Sequence, residues 1–302
     1  MGAMRRAQIR ALALAALGTF FVSKLVGSEA PPGSTAPLAK KLRAERTSRF
    51  DLEVSGDLEG VPLGATWYLT REDLLTLPQV GFMVSDDPNL PGPTRLSGVP
   101  LENLVRDVGA PAGDMVVAIS KDQYRANYPR DYLAEHHPLL VLEIGGLPPS
   151  GWPKDSGFDL GPYMISHPKF TPAVDARAHV DEAQIPWGVV GLEFRDERLV
   201  FAAIRPSGSL ANSRSVEAGY QIARQNCFHC HDAGDEGGKK SGVSWAALSA
   251  IATASPDFFV AYVRNPKLKS PRSQMPANPQ YDDLALDALS AYFRSFSKAQ
   301  SP

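Results

Sequence analysis

The spacing of apolar and polar positions changes character near residue 206. Between Phe50 and Arg205 the apolar residues gather in short runs: Phe50–Val54, Thr66–Leu69, Met115–Ile119, Leu139–Ile144, Val189–Phe194 and Leu199–Ile204. Runs of this length, rich in Val, Ile, Leu and Phe and bounded by turn residues, predict β-strands. Two helical pieces are expected among them, Arg71–Leu77, which Thr70 is placed to cap, and Leu101–Val108. Pro206-Ser207-Gly208-Ser209 then reads as a linker. Beyond it the spacing turns helical, over Val216–Gln225, Trp245–Ala254, Pro256–Arg264 and Leu284–Phe296. In the last of these Leu284, Leu286, Leu289, Tyr292, Phe293 and Phe296 recur at near-helical intervals, with Asp283 and Asp287 among the polar positions. The pattern predicts a β-rich α+β domain over 48–205, a joint over 206–213 and an all-α domain over 214–302.

The first thirty residues read as targeting and not as fold. Arg5, Arg6 and Arg10 make a basic start, Ala11 to Val22 is an apolar run, and Ser28-Glu29-Ala30 offers small residues at cleavage spacing. Residues 1–30 are therefore expected to be a signal peptide or an N-terminal membrane anchor, because Ile9 to Val26 approaches a bilayer's thickness. Arg5-Arg6 is a twin-arginine pair, but Ala7-Gln8 follows where such signals favour an apolar continuation. Either reading places the protein in the periplasm, soluble or held at the inner membrane.

Composition narrows the classes further. A length of 302 residues suits about two domains, and 43% apolar with 21% charged residues argues against wholesale disorder. Lys and Arg total 31 against 33 Asp and Glu, a net charge of −2, so no basic excess exists to bind nucleic acid through its phosphates. The 25 Gly and 26 Pro fit many turns. Cysteine occurs only at Cys227 and Cys230, which rules out a disulfide scaffold and ties the two thiols to one task.

That task is legible in Cys227-Phe228-His229-Cys230-His231. C-x-x-C-H is the attachment signature of c-type haem: two thiols about one helical turn apart add to the porphyrin vinyl groups, and the following histidine binds iron. Thioether bonds also dispose of both cysteines in an oxidising compartment. A thioredoxin-like dithiol would follow a strand, whereas this pair follows a helical stretch; a zinc site would need a second paired motif, which the chain lacks. His231 is thus the expected proximal ligand of one covalent haem c. Met275 is the only methionine after His231 and stands in a polar, Pro-rich loop, Ser273 to Pro279, so it is the expected distal ligand. His229 is expected to be a solvent-facing spacer. Lys267, Lys269 and Arg272, just upstream of Met275, would steer an acidic partner.

From Gly219 to Phe296 the chain resembles a class I c-type cytochrome domain. Gly219 lies eight residues before Cys227, Arg264-Asn265-Pro266 and Met275-Pro276 match the family's distal segment, and Tyr292-Phe293 match its closing helix. The departure is Ser241-Gly242-Val243-Ser244, where the family often carries a Gly-Pro pair whose carbonyl steadies the proximal histidine. Another backbone acceptor is expected for His231.

The first domain is similar to the molybdopterin-binding domain of sulfite-oxidase-type enzymes. The resemblance rests on Leu69–Leu77 with Pro78-Gln79-Val80, on Leu96-Ser97-Gly98-Val99-Pro100 running into Leu101-Glu102-Asn103-Leu104, on Gly161-Pro162-Tyr163 and on Ile185 to Phe194. That family binds molybdenum through a cysteine thiolate, and this region has no cysteine. His136-His137, His167 and His179 form no recognisable metal motif and are expected at the surface or hydrogen-bonded; Lys121, Arg125 and Arg130 are expected on a solvated face. The fold is therefore expected without molybdopterin, as a docking platform. The leading expectation is an exported electron carrier that is not itself an enzyme and serves a redox partner protein, in solution or at the membrane. The alternative is a molybdenum enzyme acting on a small anion such as sulfite and passing electrons to the haem. A haem-based sensor would need an open distal site, against which Met275 argues.

Overall fold

The computed structural model describes residues 38–299, except 63, 86, 88–89, 111–114, 153–160 and 169–183. Residues 1–30, expected to be a signal peptide or anchor, and His179 lie outside the described residues. β1 (Leu52–Gly56) and β2 (Thr66–Leu69) pair antiparallel and lead into α1 (Arg71–Leu75). Thr70 caps that helix reciprocally: its hydroxyl accepts from the Asp73 amide at 3.2 Å, and the Asp73 carboxylate accepts from the Thr70 amide at 3.3 Å. β3 (Val80–Val84), β4 (Thr94–Pro100), α2 (Leu101–Asp107), β5 (Met115–Ser120), β6 (Arg125–Pro129), α3 (Arg130–His136), β7 (Leu139–Ile144), β8 (Tyr163–Ser166) and β9 (Trp187–Arg195) follow. The nine strands form one mixed sheet in the order β2-β1-β9-β8-β7-β4-β3, with β5 joining β9 to β6. Only the β1–β9 pair is parallel.

One expected strand is a helix. Leu199–Ile204 falls on α4 (Glu197–Ala202), because the Asp196 carboxylate accepts from the Arg198 amide at 2.8 Å and starts a turn where β9 ends. Val200, Phe201 and Ile204 then share the buried side while Leu199 is 67% exposed, a one-sided helical pattern hidden inside an apolar run. β3 and β6 escaped the reading for the opposite reason. β3 is interrupted by Gly81, and β6 carries Arg125, Asn127 and Pro129, so neither is an unbroken apolar run; β4 and β8 are likewise not among the expected runs.

The C-terminal region consists of α5 (Arg214–Asn226), a two-stranded ribbon of β10 (Asp232–Ala233) and β11 (Glu236–Gly237), then α6 (Trp245–Ala254), α7 (Pro256–Arg264), α8 (Pro266–Lys269) and α9 (Asp283–Ala299). The small ribbon makes the region not purely helical. α5 and α9 cross closely at Gly219, where a Cβ would lie 2.0 Å from the Ala288 carbonyl oxygen, so any larger residue would force the helices apart. Tyr292 of α9 donates to the Ile204 carbonyl at 2.5 Å and accepts from the Trp245 indole at 3.1 Å, anchoring the end of the β-rich region to two helices. Among the described residues no helix is long and apolar enough to cross a membrane.

The two regions share a core through β5. Side chains alternate across a strand. Val116 and Ala118 enter the core of the β-rich region with Leu52, Leu140 and Phe194, while Met115 and Val117 enter the helical core with Phe201, Tyr220 and Phe228. The chain segment over 206–213 thus connects two halves already welded by a strand with no wet face. Met115→Ala should therefore destabilise the C-terminal helices although it lies in the sheet, by about 2–5 kcal/mol. Denaturant unfolding monitored at the helical circular-dichroism signal would check this; an unchanged midpoint would contradict the shared core.

Candidate cofactor site

α5 ends at Cys227, whose amide closes the last turn on the Ala223 carbonyl at 2.9 Å. The next residues make one further tight turn: the amides of Cys230 and His231 both donate to the Cys227 carbonyl, at 3.1 and 3.0 Å. Phe228 holds this turn down. It is fully buried, edge-on to Trp245 with centroids 5.5 Å apart and 6.0 Å from Phe201. The turn brings Cys227, Cys230 and His231 together as their spacing requires. The two thiols are not joined in a disulfide. Burial pushes the Cys227 thiol up to about 12, with Cys230 adding to it, and the Cys230 thiol up to about 11 against the pull of Lys240. Neither is a thiolate near neutral pH, unlike the reactive cysteine of a redox dithiol.

His231 finds its acceptor inside the departing segment. Its Nδ1–H donates to the Val243 carbonyl at 2.7 Å, and the Ser241 hydroxyl lies 2.9 Å from the same nitrogen. The Ser241 hydroxyl also accepts from the Val243 amide at 3.0 Å, so the turn that aims the carbonyl is closed by its own side chain. With Nδ1 committed as donor, Nε2 keeps its lone pair for a metal. Burial lowers the His231 imidazole below its ordinary value, and the Val243 carbonyl and Asp232 offset part of that. The neutral form is the ligating one. Cys227, Cys230 and His231 therefore fit a covalently held haem.

Met275 packs half-buried against the same apolar cluster that contains Phe228 and Cys227. Its loop is fastened to α7 at two points: the Asn278 amide donates to the Arg264 carbonyl at 3.0 Å, and the Asn278 side chain to the Val263 carbonyl at 3.0 Å. Ser273 accepts from the Met275 amide at 3.2 Å and from the Tyr262 hydroxyl at 2.9 Å. Lys267, Lys269 and Arg272 are exposed on the approach to this loop.

His229 contradicts the expectation of a solvent-facing spacer. It is 1% exposed, because it is covered by the β5–β6 hairpin of the first domain, and its Nδ1–H donates to the Arg125 carbonyl at 2.6 Å. Arg125 likewise leaves the solvated face assigned to it. Its guanidinium is mostly buried against Glu193 and reaches the Asp235 carbonyl at 3.4 Å. Lys121 and Arg130 are exposed, and the Lys121 ammonium donates to the Gly161 carbonyl at 3.1 Å.

The remaining histidines divide. His137, exposed, lies 3.0 Å from the Glu102 carboxylate, and His136 stacks on Tyr132 with centroids 4.2 Å apart. His167 is wholly buried, its Nε2 at 2.8 Å from the Tyr132 hydroxyl and its ring edge-on to His136. The fold thus gathers His136, His167 and Tyr132, a grouping that sequence separation concealed. Among the described residues no group of three or more His, Cys, Asp or Glu side chains is placed to hold a metal ion.

Residues 214–293 match the family described as cytochrome c oxidase, cbb3-type, subunit III, which makes the C-terminal region a cytochrome c domain. Such a domain transfers electrons through haem. Among solved structures the chain is similar to the sulfane dehydrogenase SoxCD from Paracoccus pantotrophus, at 16% identity and a TM-score of 0.34, over 55% of this chain. This chain covers 44% of that one. No curated protein matches the sequence.

His167 supplies a pH test of the first domain. Burial, and then His136, lower its imidazole to about 3, against an ordinary value of 6.5. The folded chain therefore binds fewer protons than the unfolded one between these values. The contribution is fully present above pH 6.5 and drains away as pH falls towards 3. Between pH 7 and pH 5 the native protein should lose about 2 kcal/mol more stability than His167→Phe. Denaturation midpoints of both proteins at the two pH values check this, and parallel losses would count against it.

Proposed function

We propose that the chain is a c-type cytochrome working in the periplasm, exchanging single electrons with a partner oxidoreductase through one covalent haem. The observation that carries this reading is the His231 imidazole, buried, neutral and fixed in one tautomer by the Val243 carbonyl. Its Nε2 would bind iron, Cys227 and Cys230 would hold the porphyrin through thioethers, and the Met275 thioether would be the second axial ligand. A bound haem supplies one-electron exchange at its iron. The chain's own residues do the rest. Phe228, packed on Trp245 and Phe201, anchors the turn that carries the thiols, the Ser241–Val243 turn holds the imidazole proton on Nδ1, and Asn278 tethers the Met275 loop to α7.

The soft Met275 sulfur favours ferrous iron and would hold the potential high. Lys267, Lys269 and Arg272 would steer a partner that presents carboxylates. The first domain is read as a sulfite-oxidase-type fold without molybdopterin, a reading supported by the absence of any cysteine before Cys227. Residues 1–30 would direct export, as signal peptide or anchor.

The test begins with haem staining after denaturing electrophoresis. Native protein should stain and the Cys227→Ser, Cys230→Ser double variant should not; colour persisting in that variant would refute covalent attachment. Metal analysis should return one iron and no molybdenum, whereas one equivalent of molybdenum would promote the enzyme reading. Met275→Ala should keep the stain, turn the ferric spectrum high-spin, bind carbon monoxide and lower the potential by roughly 100 mV or more, within the ~0.8 V spanned by axial-ligand choice. An unchanged spectrum and potential would place the second ligand elsewhere.

A further inference from the structure

The first domain grips the attachment turn itself. β6 pairs only with β5, so its outer edge presents unpaired backbone groups. At Arg125 both are taken up by one residue of the C-x-x-C-H motif: the Arg125 amide donates to the His229 carbonyl at 3.0 Å, and the His229 Nδ1–H donates to the Arg125 carbonyl at 2.6 Å. A third bond runs from the Lys239 amide to the Gln123 carbonyl at 3.1 Å. Gln123 takes a left-handed conformation, φ +68°, at the tip of the hairpin, a strained arrangement for a residue with a side chain. Tyr124 lies flat on the His229 ring, centroids 5.3 Å apart and planes 17° from parallel. Gly238 is pressed so closely against the backbone of the same residue that a Cβ would sit 1.8 Å from the His229 carbonyl oxygen. Charge pairs ring the contact: Lys240 with Asp122 at 2.7 Å, and Arg195 with Glu236.

A motif spacer would not need this much. Cys227, Cys230 and His231 require only local spacing, and the motif itself makes no demand on the residue at position 229. Here His229 stacks its ring on Tyr124, meets Gly238 at its backbone, and spends both its carbonyl and its side-chain donor on another domain. The clamp lies one residue from Cys230 and two from His231, so any loosening of it moves the ligand-bearing turn.

We propose that His229 is a positioning residue for the cofactor site, and that the first domain serves this protein by bracing the attachment turn through the Gln123–Arg125 hairpin. This rests on the haem reading above. The brace holds the His231 imidazole and the Cys227 and Cys230 sulfurs in one geometry and limits water's access to the turn; a haem iron held there would meet less water, which disfavours the extra charge of the ferric state. Removing it should loosen and hydrate the turn and lower the potential, while attachment itself survives.

The test uses the full-length holoprotein. His229→Leu removes the donor at similar bulk, and His229→Asn places an amide N–H near the lost Nδ1–H. His229→Leu should still stain for haem, show a lower reduction potential, and exchange the Arg125 and Gly238 amide hydrogens at least tenfold faster. His229→Asn should restore most of both properties. Unchanged potential in His229→Leu would overturn the proposal, and so would faster exchange with an unmoved potential, which would reduce the contact to packing. Should His229→Leu fail to accumulate, hydrogen exchange of the native protein decides: an Arg125 amide as slow as those of β5 supports the brace, and one as fast as an exposed turn refutes it. Absence of covalent haem in the native protein would sink the haem reading alone, because the same exchange comparison on the haem-free chain still tests the brace.

Discussion

A strand buried on both faces is the constraint from which the rest of the architecture follows. Because β5 alternates Met115 and Val117 with Val116 and Ala118 between two apolar clusters, neither cluster is complete without the other half of the chain. The helical region supplies the wall that a solvated sheet face would lack, and α4 with Ile204 fills the corner between them. The arrangement also decides where the β5–β6 hairpin ends up. Carried on a strand fixed from both sides, its tip has one place to go, against the turn that follows α5.

Desolvation sorts the buried histidines into different roles. His167, His229 and His231 are all held below the ordinary imidazole value by burial, so each is a neutral ring with a single N–H to assign. What sits opposite each ring then fixes its use. His231 gives its proton to the Val243 carbonyl and is left with a basic nitrogen suited to iron. His229 gives its proton to Arg125 and becomes a tether between domains. His167 faces a tyrosine hydroxyl in a cluster of rings and makes its domain sensitive to acid. The same side chain is thus left with a free ring nitrogen at 231, a link between domains at 229 and a pH-dependent element at 167, through the placement of neighbouring oxygens.

The two thiols show the same logic in reverse. Cys227 and Cys230 are pushed up by burial, which takes away the thiolate that exchange or metal chemistry would use. A pair of protonated, half-buried thiols one turn apart, beside a histidine with a committed Nδ1, is not arranged as a reactive redox dithiol. These residues lie within the cytochrome c domain matched over residues 214–293.

What the sequence determined by itself was everything that depends on short spacing. The period of apolar residues gave α5, α6, α7 and α9, the bounded apolar runs gave β1, β2, β5, β7 and β9, and Thr70 as a cap marked the start of α1. The attachment motif is contained in five consecutive residues, so it needs no fold to be recognised. The strand expected at Leu199–Ile204 failed because an apolar run does not reveal which of its side chains face water; Asp196 was the available sign of a helix. Only the tertiary structure decided the rest. Val243 as the acceptor for His231 depends on how a turn twelve residues away closes, and the burial of His229 depends on a hairpin 104 residues earlier in the chain. Hydrogen bonds between distant backbone groups carry no residue-type signature, since every residue offers the same N–H and C=O, and so they become visible only once packing has brought the chain segments together.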